Sequence, residues 1–101
     1  MARYRVASVE DVPVENVKGV MAGEQEICLG HCEDGYFALD NVCTHENFLL
    51  SGGEMFDCEV ECPQHGSRFN MRTGAVTGLP AVIPARTFPV TVEGSDVYVD
   101  V

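Results

Sequence analysis

The run Asn41-Val42-Cys43-Thr44-His45 is followed, after sixteen intervening residues, by Cys62-Pro63-Gln64-His65. Together they read C-x-H … C-x-x-H, each half bringing one sulfur and one imidazole. Thiolate and neutral imidazole are ligands for borderline-soft metals, so the pattern points to a metal centre. Two centres compete for it. Structural zinc accepts two cysteines and two histidines, but its cysteines usually pair at C-x2–4-C spacing, with the histidines paired elsewhere. A mixed-ligand 2Fe–2S cluster takes two cysteines on one iron and two histidines on the other. One cysteine and one histidine per loop lets such a cluster sit between two loop tips, and this spacing favours the cluster.

Short alternating strands must position those loops, because no stretch shows sustained helical periodicity. Tyr4 to Ala7 reads as a first strand, and Ser8-Val9-Glu10-Asp11 as a single helical turn before Pro13. Val17 to Met21 and Gln25 to Cys32 flank Ala22-Gly23-Glu24 as a hairpin. Asp34-Gly35 then turns the chain into Tyr36 to Asp40. Near the end, Phe88 to Val92 and Val97 to Val101 alternate around Glu93-Gly94-Ser95-Asp96, with Val97, Val99 and Val101 on one side. Between these β-rich ends lies Asn41 to Pro84, rich in Cys, His, Gly and Pro, and the chemistry belongs there. Within it, Phe56 to Glu61 reads as a strand returning to the second loop, with Asp57, Glu59 and Glu61 on a solvated face. No repeat, linker or low-complexity segment interrupts the 101 residues, so the chain reads as one all-β domain.

The formal charge is −10, with sixteen acidic and six basic residues. Such a surface repels nucleic acid and anionic membrane and favours partners with basic patches; its blander reading is solubility. The chain has no apolar run of membrane-spanning length, and residues 1–5 lack a basic-then-apolar leader, so a cytoplasmic protein is expected. Five cysteines are an odd number for a disulfide framework, and a reducing compartment argues against disulfides.

Cys43-Thr44-His45, the run from Cys62 to Phe69, Arg72-Thr73-Gly74 and Leu79-Pro80-Ala81 together resemble the Rieske ferredoxins of bacterial aromatic-ring dioxygenase systems. The likeness runs from Tyr4 to Val99. It implies a Rieske fold of three stacked antiparallel sheets: base sheets in residues 1–41 and 82–101, and a cluster-binding part in 42–81. The 43–52 and 62–69 loops would hold one [2Fe–2S] cluster on Cys43, His45, Cys62 and His65, and a proline loop near Pro80 would cover it. The implied role is an electron carrier, not an enzyme, and a monomer is the default expectation with the oligomeric state open. Its partners would be an NADH-dependent flavoprotein ferredoxin reductase and a terminal Rieske non-haem iron oxygenase of aromatic catabolism.

The departures from related patterns carry expectations too. Rieske proteins of cytochrome bc complexes bear an extra cysteine in each ligand loop, forming a disulfide; Phe48 and Gln64 stand at the matching positions here. Those proteins also place a serine and a tyrosine after the second histidine, where this chain has Ser67 and Phe69. Fewer hydrogen bonds to cluster sulfur imply a potential toward the low end of the Rieske range of about −150 to +300 mV. The outer ring edges of His45 and His65 would carry the electron, and their free nitrogens would couple the site to protons at raised pH. Glu46, Asn47, Phe48, Gln64 and Pro80 are the nearest docking candidates, although Phe48 equally reads as a loop anchor.

Other tempting residues carry less. Cys28, His31 and Cys32 would make a metal face on a helix, but on a strand Cys28 and Cys32 lie about 13 Å apart with His31 on the opposite side. Cys58 shares the strand phase of Val60 and reads as a small core residue. Arg68, Arg72 and Arg86 are too scattered for an anion site. The chain has no nucleophile–base pair and no phosphate loop. Three other classes stand beside the carrier. An oxygenase large subunit would continue into a catalytic iron domain, a zinc-binding structural module would be redox-inert, and a nitrite reductase small subunit shares the fold.

Overall fold

In a computed structural model describing residues 2–44, 48–63 and 66–101, Arg3–Ser8 (β1) leads into a single 3-10 turn over Val9–Asp11. The Ser8 N–H donates to Asp11 Oδ2 at 2.9 Å, which closes that turn. Asn16–Ala22 (β2), Gln25–Cys32 (β3) and Gly35–Asp40 (β4) follow as a meander. A second 3-10 turn, Leu50–Gly52, precedes four strands of three residues each: Glu54–Phe56 (β5), Glu59–Glu61 (β6), Arg68–Asn70 (β7) and Val76–Gly78 (β8). Thr87–Phe88 (β9), Val90–Glu93 (β10) and Asp96–Asp100 (β11) complete the chain.

These strands build three antiparallel sheets, ordered β1-β11-β10, β2-β3-β4-β9 and β5-β6-β7-β8. The second is the middle layer, because alternate residues of its strands serve different cores. Ile27, Leu29 and Ala38 join Val97, Val99 and Phe88 in one cluster with the first sheet. Cys28, Cys32 and Leu39 join Met55, Val60 and Phe69 of the third sheet in another. A strand buried on both faces explains why β3 reads as nearly continuous apolar sequence.

Three expectations change. Phe88 to Val92 is not one strand: Pro89 has no N–H for a ladder and divides it. Phe88 therefore pairs with Ala38 of the middle sheet, while Val90 pairs with Val99 of the first. Phe56 to Glu61 is not one strand either. Asp57 and Cys58 both take left-handed φ values, 51° and 62°, and turn the chain into a hairpin between β5 and β6. Asp57 therefore leaves the strand face shared by Glu59 and Glu61.

The third change is a disulfide between Cys32 and Cys58, Cα atoms 5.3 Å apart. Cys58 is buried as expected, but in a turn and bonded, not as an inert core thiol. Strand alternation aims Cys32 at the third sheet, and the hairpin turn delivers Cys58 to the same place. No helix among the described residues is long and apolar enough to cross a membrane.

Candidate metal centre

Two loops, one after β4 and one after β6, close in the same way. After β4, the Cys43 N–H donates to the Phe48 carbonyl at 2.8 Å. After β6, the Cys62 N–H donates to the Ser67 carbonyl at 2.7 Å. Each cysteine thus opens a loop tied back by the residue five positions on. The first loop is anchored from beneath by the buried Asn41, whose Oδ1 accepts the Ser51 N–H at 2.8 Å and whose Nδ2 donates to Ser51 Oγ at 2.9 Å. The second turns at Gly66, whose φ of 75° suits glycine. At the foot of the hairpin, Gly53 lies against the Glu61 carbonyl so closely that a Cβ would collide with it.

A third segment lies over both loops. The Thr44 hydroxyl donates to the Ile83 carbonyl at 2.6 Å, and Ser67 Oγ accepts the Ala81 N–H at 3.1 Å. Ala81 is buried between these ties, whereas Leu79, Val82 and Ile83 are 75 %, 75 % and 59 % exposed. The proline segment therefore presents apolar side chains outward while its backbone is pinned to each loop.

Cys43 and Cys62 are both 3 % exposed and lie in the same core cluster, outside the disulfide. Two buried cysteines on matched loops, in a water-poor setting, fit the thiolate half of a 2Fe–2S ligand set. His45 and His65 lie outside the described residues, as do the docking candidates Glu46, Asn47 and Gln64. Of the remaining docking candidates, Phe48 is 38 % exposed and Pro80 is exposed. The outward Leu79, Val82 and Ile83 escaped the sequence reading. Their signal was there, as apolar residues flanking Pro80 and preceding Pro84 in a segment with no strand alternation.

Other residues settle into structural work. His31 Nδ1 donates to the Val12 carbonyl at 2.8 Å and its ring stacks on Tyr36 at 4.0 Å, on the face opposite Cys28 and Cys32. Burial pushes the Cys28 thiol up to about 12, so it stays protonated. Arg72 pairs with Asp34 at 2.8 Å and Arg68 reaches Glu61 at 4.0 Å, while Arg86 lies over the Phe88 ring at 4.7 Å.

Comparison with known proteins bears on the same residues. A family model described as the Rieske [2Fe-2S] domain matches residues 2–89. The ferredoxin component of biphenyl 2,3-dioxygenase from Rhodococcus jostii (strain RHA1) is 36 % identical over 100 residues, covering 99 % of this chain and 94 % of its own. The ferredoxin of carbazole 1,9a-dioxygenase from Nocardioides aromaticivorans IC177 superposes with a TM-score of 0.92 at 32 % identity, covering 98 % of this chain and 97 % of its own. A second carbazole 1,9a-dioxygenase ferredoxin, solved in complex with its oxygenase, superposes at 0.90 with 30 % identity over 96 % of this chain and 91 % of its own. A nitrite reductase small subunit superposes at 0.84 over the whole of both chains, but at 18 % identity it shows the fold alone.

Proposed function

Because the chain belongs to the Rieske [2Fe–2S] domain family, we propose that it is the ferredoxin component of an aromatic-ring dioxygenase system. Cys43 and Cys62 would hold one iron of the cluster, and His45 and His65 the other. When bound, the cluster takes up one electron and gives it back. The chain supplies the rest: a buried seat for the two thiolates, two loops each closed by a backbone hydrogen bond from its cysteine, and an apolar rim where partners meet.

The observation that carries this reading is the pair of cysteine loops, closed alike, beneath a proline segment pinned to both. Such pinning keeps the ligand loops from rearranging, which a carrier needs if transfer is to be fast. The outward Leu79, Val82 and Ile83, with Phe48, form a small apolar rim on a protein of net charge −10. A small apolar contact ringed by charge suits short-lived, salt-sensitive encounters. The partners proposed are a flavoprotein reductase upstream and a terminal oxygenase downstream. The second is supported by the related ferredoxin solved in complex with its oxygenase.

Within this reading the chain is a cytoplasmic, monomeric carrier and not an enzyme. Residues 1–41 and 82–101 form its base and 42–81 its cluster-binding part, a division supported by the confinement of β5 to β8 to the latter. The nitrite reductase alternative has only the fold in its favour. The zinc alternative has the donor set without the family likeness.

Reconstitution with iron and sulfide tests the proposal. A red-brown protein whose reduced EPR signal averages g near ~1.9 is expected from mixed Cys/His ligation. Stopped-flow reduction by a flavoprotein reductase, followed by transfer to an aromatic-ring oxygenase, should then show the carrier role. A colourless chain that takes up stoichiometric zinc instead would sink it.

A further inference from the structure

Cys32 and Cys58 take no part in the proposed ligand set, yet a disulfide joins them across 26 residues of sequence. Cys32 ends β3 of the middle sheet. Cys58 sits in the turn of the β5–β6 hairpin, and β6 leads directly into Cys62. The bond therefore ties the middle sheet to the strand that delivers the second ligand loop.

Other ties converge on the same spot. The Arg72 guanidinium donates to both oxygens of Asp34, at 2.9 and 2.8 Å. Glu15 Oε2 accepts the Asp57 N–H at 3.2 Å, and the Cys58 carbonyl accepts the Met71 N–H at 2.8 Å. Glu15, Asp57 and Cys58 all have left-handed φ, at 67°, 51° and 62°, a region non-glycine residues enter reluctantly. A turn built from such residues opens readily once its restraints are cut.

The setting of the bond is acidic. Both sulfurs belong to almost fully buried residues, and a carboxylate oxygen of Asp34 lies within 4.8 Å of each. A surface cleft beside them is lined by Glu15, Glu33, Asp57, Cys58 and Arg72. Arg72, the one cation among the described residues that line it, is engaged by Asp34. Disulfides are cleaved by a thiolate attacking sulfur, and the mixed disulfide is then resolved by a second thiolate. A thiol bearing an added negative charge meets three carboxylates at this cleft, with that of Asp34 close to the sulfurs.

We propose that Cys32–Cys58 is a charge-guarded staple. It persists against thiols that carry an added negative charge, and opening it by thiols without one frees the β5–β6 hairpin and loosens the hold of the second loop on the cluster. Cleavage takes two electrons and two protons from two thiol molecules, which leave joined by one disulfide while Cys32 and Cys58 become thiols. The effect on the cluster rests on the proposed ligand role of Cys62; the thiol count and the unfolding behaviour do not.

The first test is alkylation of the denatured chain, freed of metal and never exposed to reductant: three of its five cysteines should react. Next, 2-mercaptoethanol and 2-mercaptoethanesulfonate differ by one negative charge at similar size. At low salt the sulfonate should cleave the bond several-fold more slowly, and the gap should narrow at high salt. Finally, Cys32→Ser/Cys58→Ser protein should unfold at lower temperature as apoprotein. As holoprotein it should bleach about tenfold faster than wild type with an unchanged EPR signal. Wild type reduced by 2-mercaptoethanol repeats the measurement if the variant fails to fold.

Five reactive cysteines, equal cleavage by the two thiols, or unchanged bleaching in a protein shown to carry the cluster would each overturn the proposal. So would a reduced chain binding one zinc that protects both thiols, which would make this a metal site with Asp34. A chain that never takes up a cluster, yet shows the thiol count, the charge discrimination and the unfolding shift, would support the staple and sink the ligand set instead.

Discussion

The molecule has two cores built on different chemistry. One, between the first and middle sheets, is aliphatic: Ile27, Leu29, Ala38, Val97 and Val99 with Phe88. The other, between the middle and third sheets, holds all five cysteines with Met55, Met71, Leu39, Leu50, Val60 and Phe69. The aliphatic core is framed by long ladders, seven residue pairs between β2 and β3 and six between β3 and β4. The strands of the third sheet are three residues long. Ladders that short stabilise little by themselves. What holds the sulfur-rich side is cross-linking: the Cys32–Cys58 bond, the Asn41–Ser51 pair, Thr44 on Ile83 and Ala81 on Ser67. Closing the disulfide loop of 26 residues alone is worth about 3.5 kcal/mol on chain-entropy grounds. Burial and alternation suffice for a base, whereas loops proposed to offer ligands cannot also form long strands, so point ties hold them.

The separation can be broken most severely at the proposed ligands. Cys43→Ser or Cys62→Ser should abolish cluster uptake, read as iron per chain and visible absorbance, while the far-ultraviolet β signal of the aliphatic side survives. Next come the cores themselves. Phe69→Ala on the sulfur side should cost about 3–5 kcal/mol and Leu29→Ala on the aliphatic side about 2–5, from denaturant midpoints. Only the Phe69 variant should bleach while still folded; equal bleaching in both would show that the two cores act as one.

A smaller effect concerns Cys28. Its folded pKa of about 12 exceeds its ordinary value of 9.0, so the folded state keeps a proton that the unfolded chain gives up. Stability from this group is complete below pH 9 and is lost as pH rises toward 12. Chemical denaturation across that window should show the decline, and Cys28→Ala should flatten it. The smallest effect is at the exposed Arg72–Asp34 pair. The hydrogen bond from Arg72 holds the Asp34 carboxyl below its ordinary 3.8, so its contribution is present above that pH and lost as acid reaches the lowered value. Arg72→Gln should lower stability slightly at neutral pH and low salt, and the difference from wild type should vanish in acid. A difference that persisted in acid would mean that Arg72 acts by packing on the Phe37 ring.

The aliphatic side was legible because its signals are local. Asp34-Gly35 made its turn, β3 and β4 met as the hairpin reading required, and Val97 and Val99 share the buried face that their spacing implied. The third sheet was not legible. Its strands are too short to show a period, and the turn at Asp57 and Cys58 uses residues that seldom adopt left-handed φ. Pro89, by contrast, was a readable break within Phe88 to Val92 that the alternation around it concealed. Of the candidate site, the residue types and spacing of Cys43-Thr44-His45 and Cys62-Pro63-Gln64-His65 were plain, and the structure brings Cys43 and Cys62 into one core.

By itself, then, the amino-acid sequence determined the β class, the two runs that pair a cysteine with a histidine, and the acidic charge, because each depends on residue type and short-range order. Only the tertiary structure decided which cysteines meet. Cys32 and Cys58 are 26 residues apart, and their contact depends on a turn that no local preference announces. It likewise decided that Thr44 and Ser67 pin the proline segment, because hydrogen bonds spanning 39 and 14 residues exist only once the sheets have stacked.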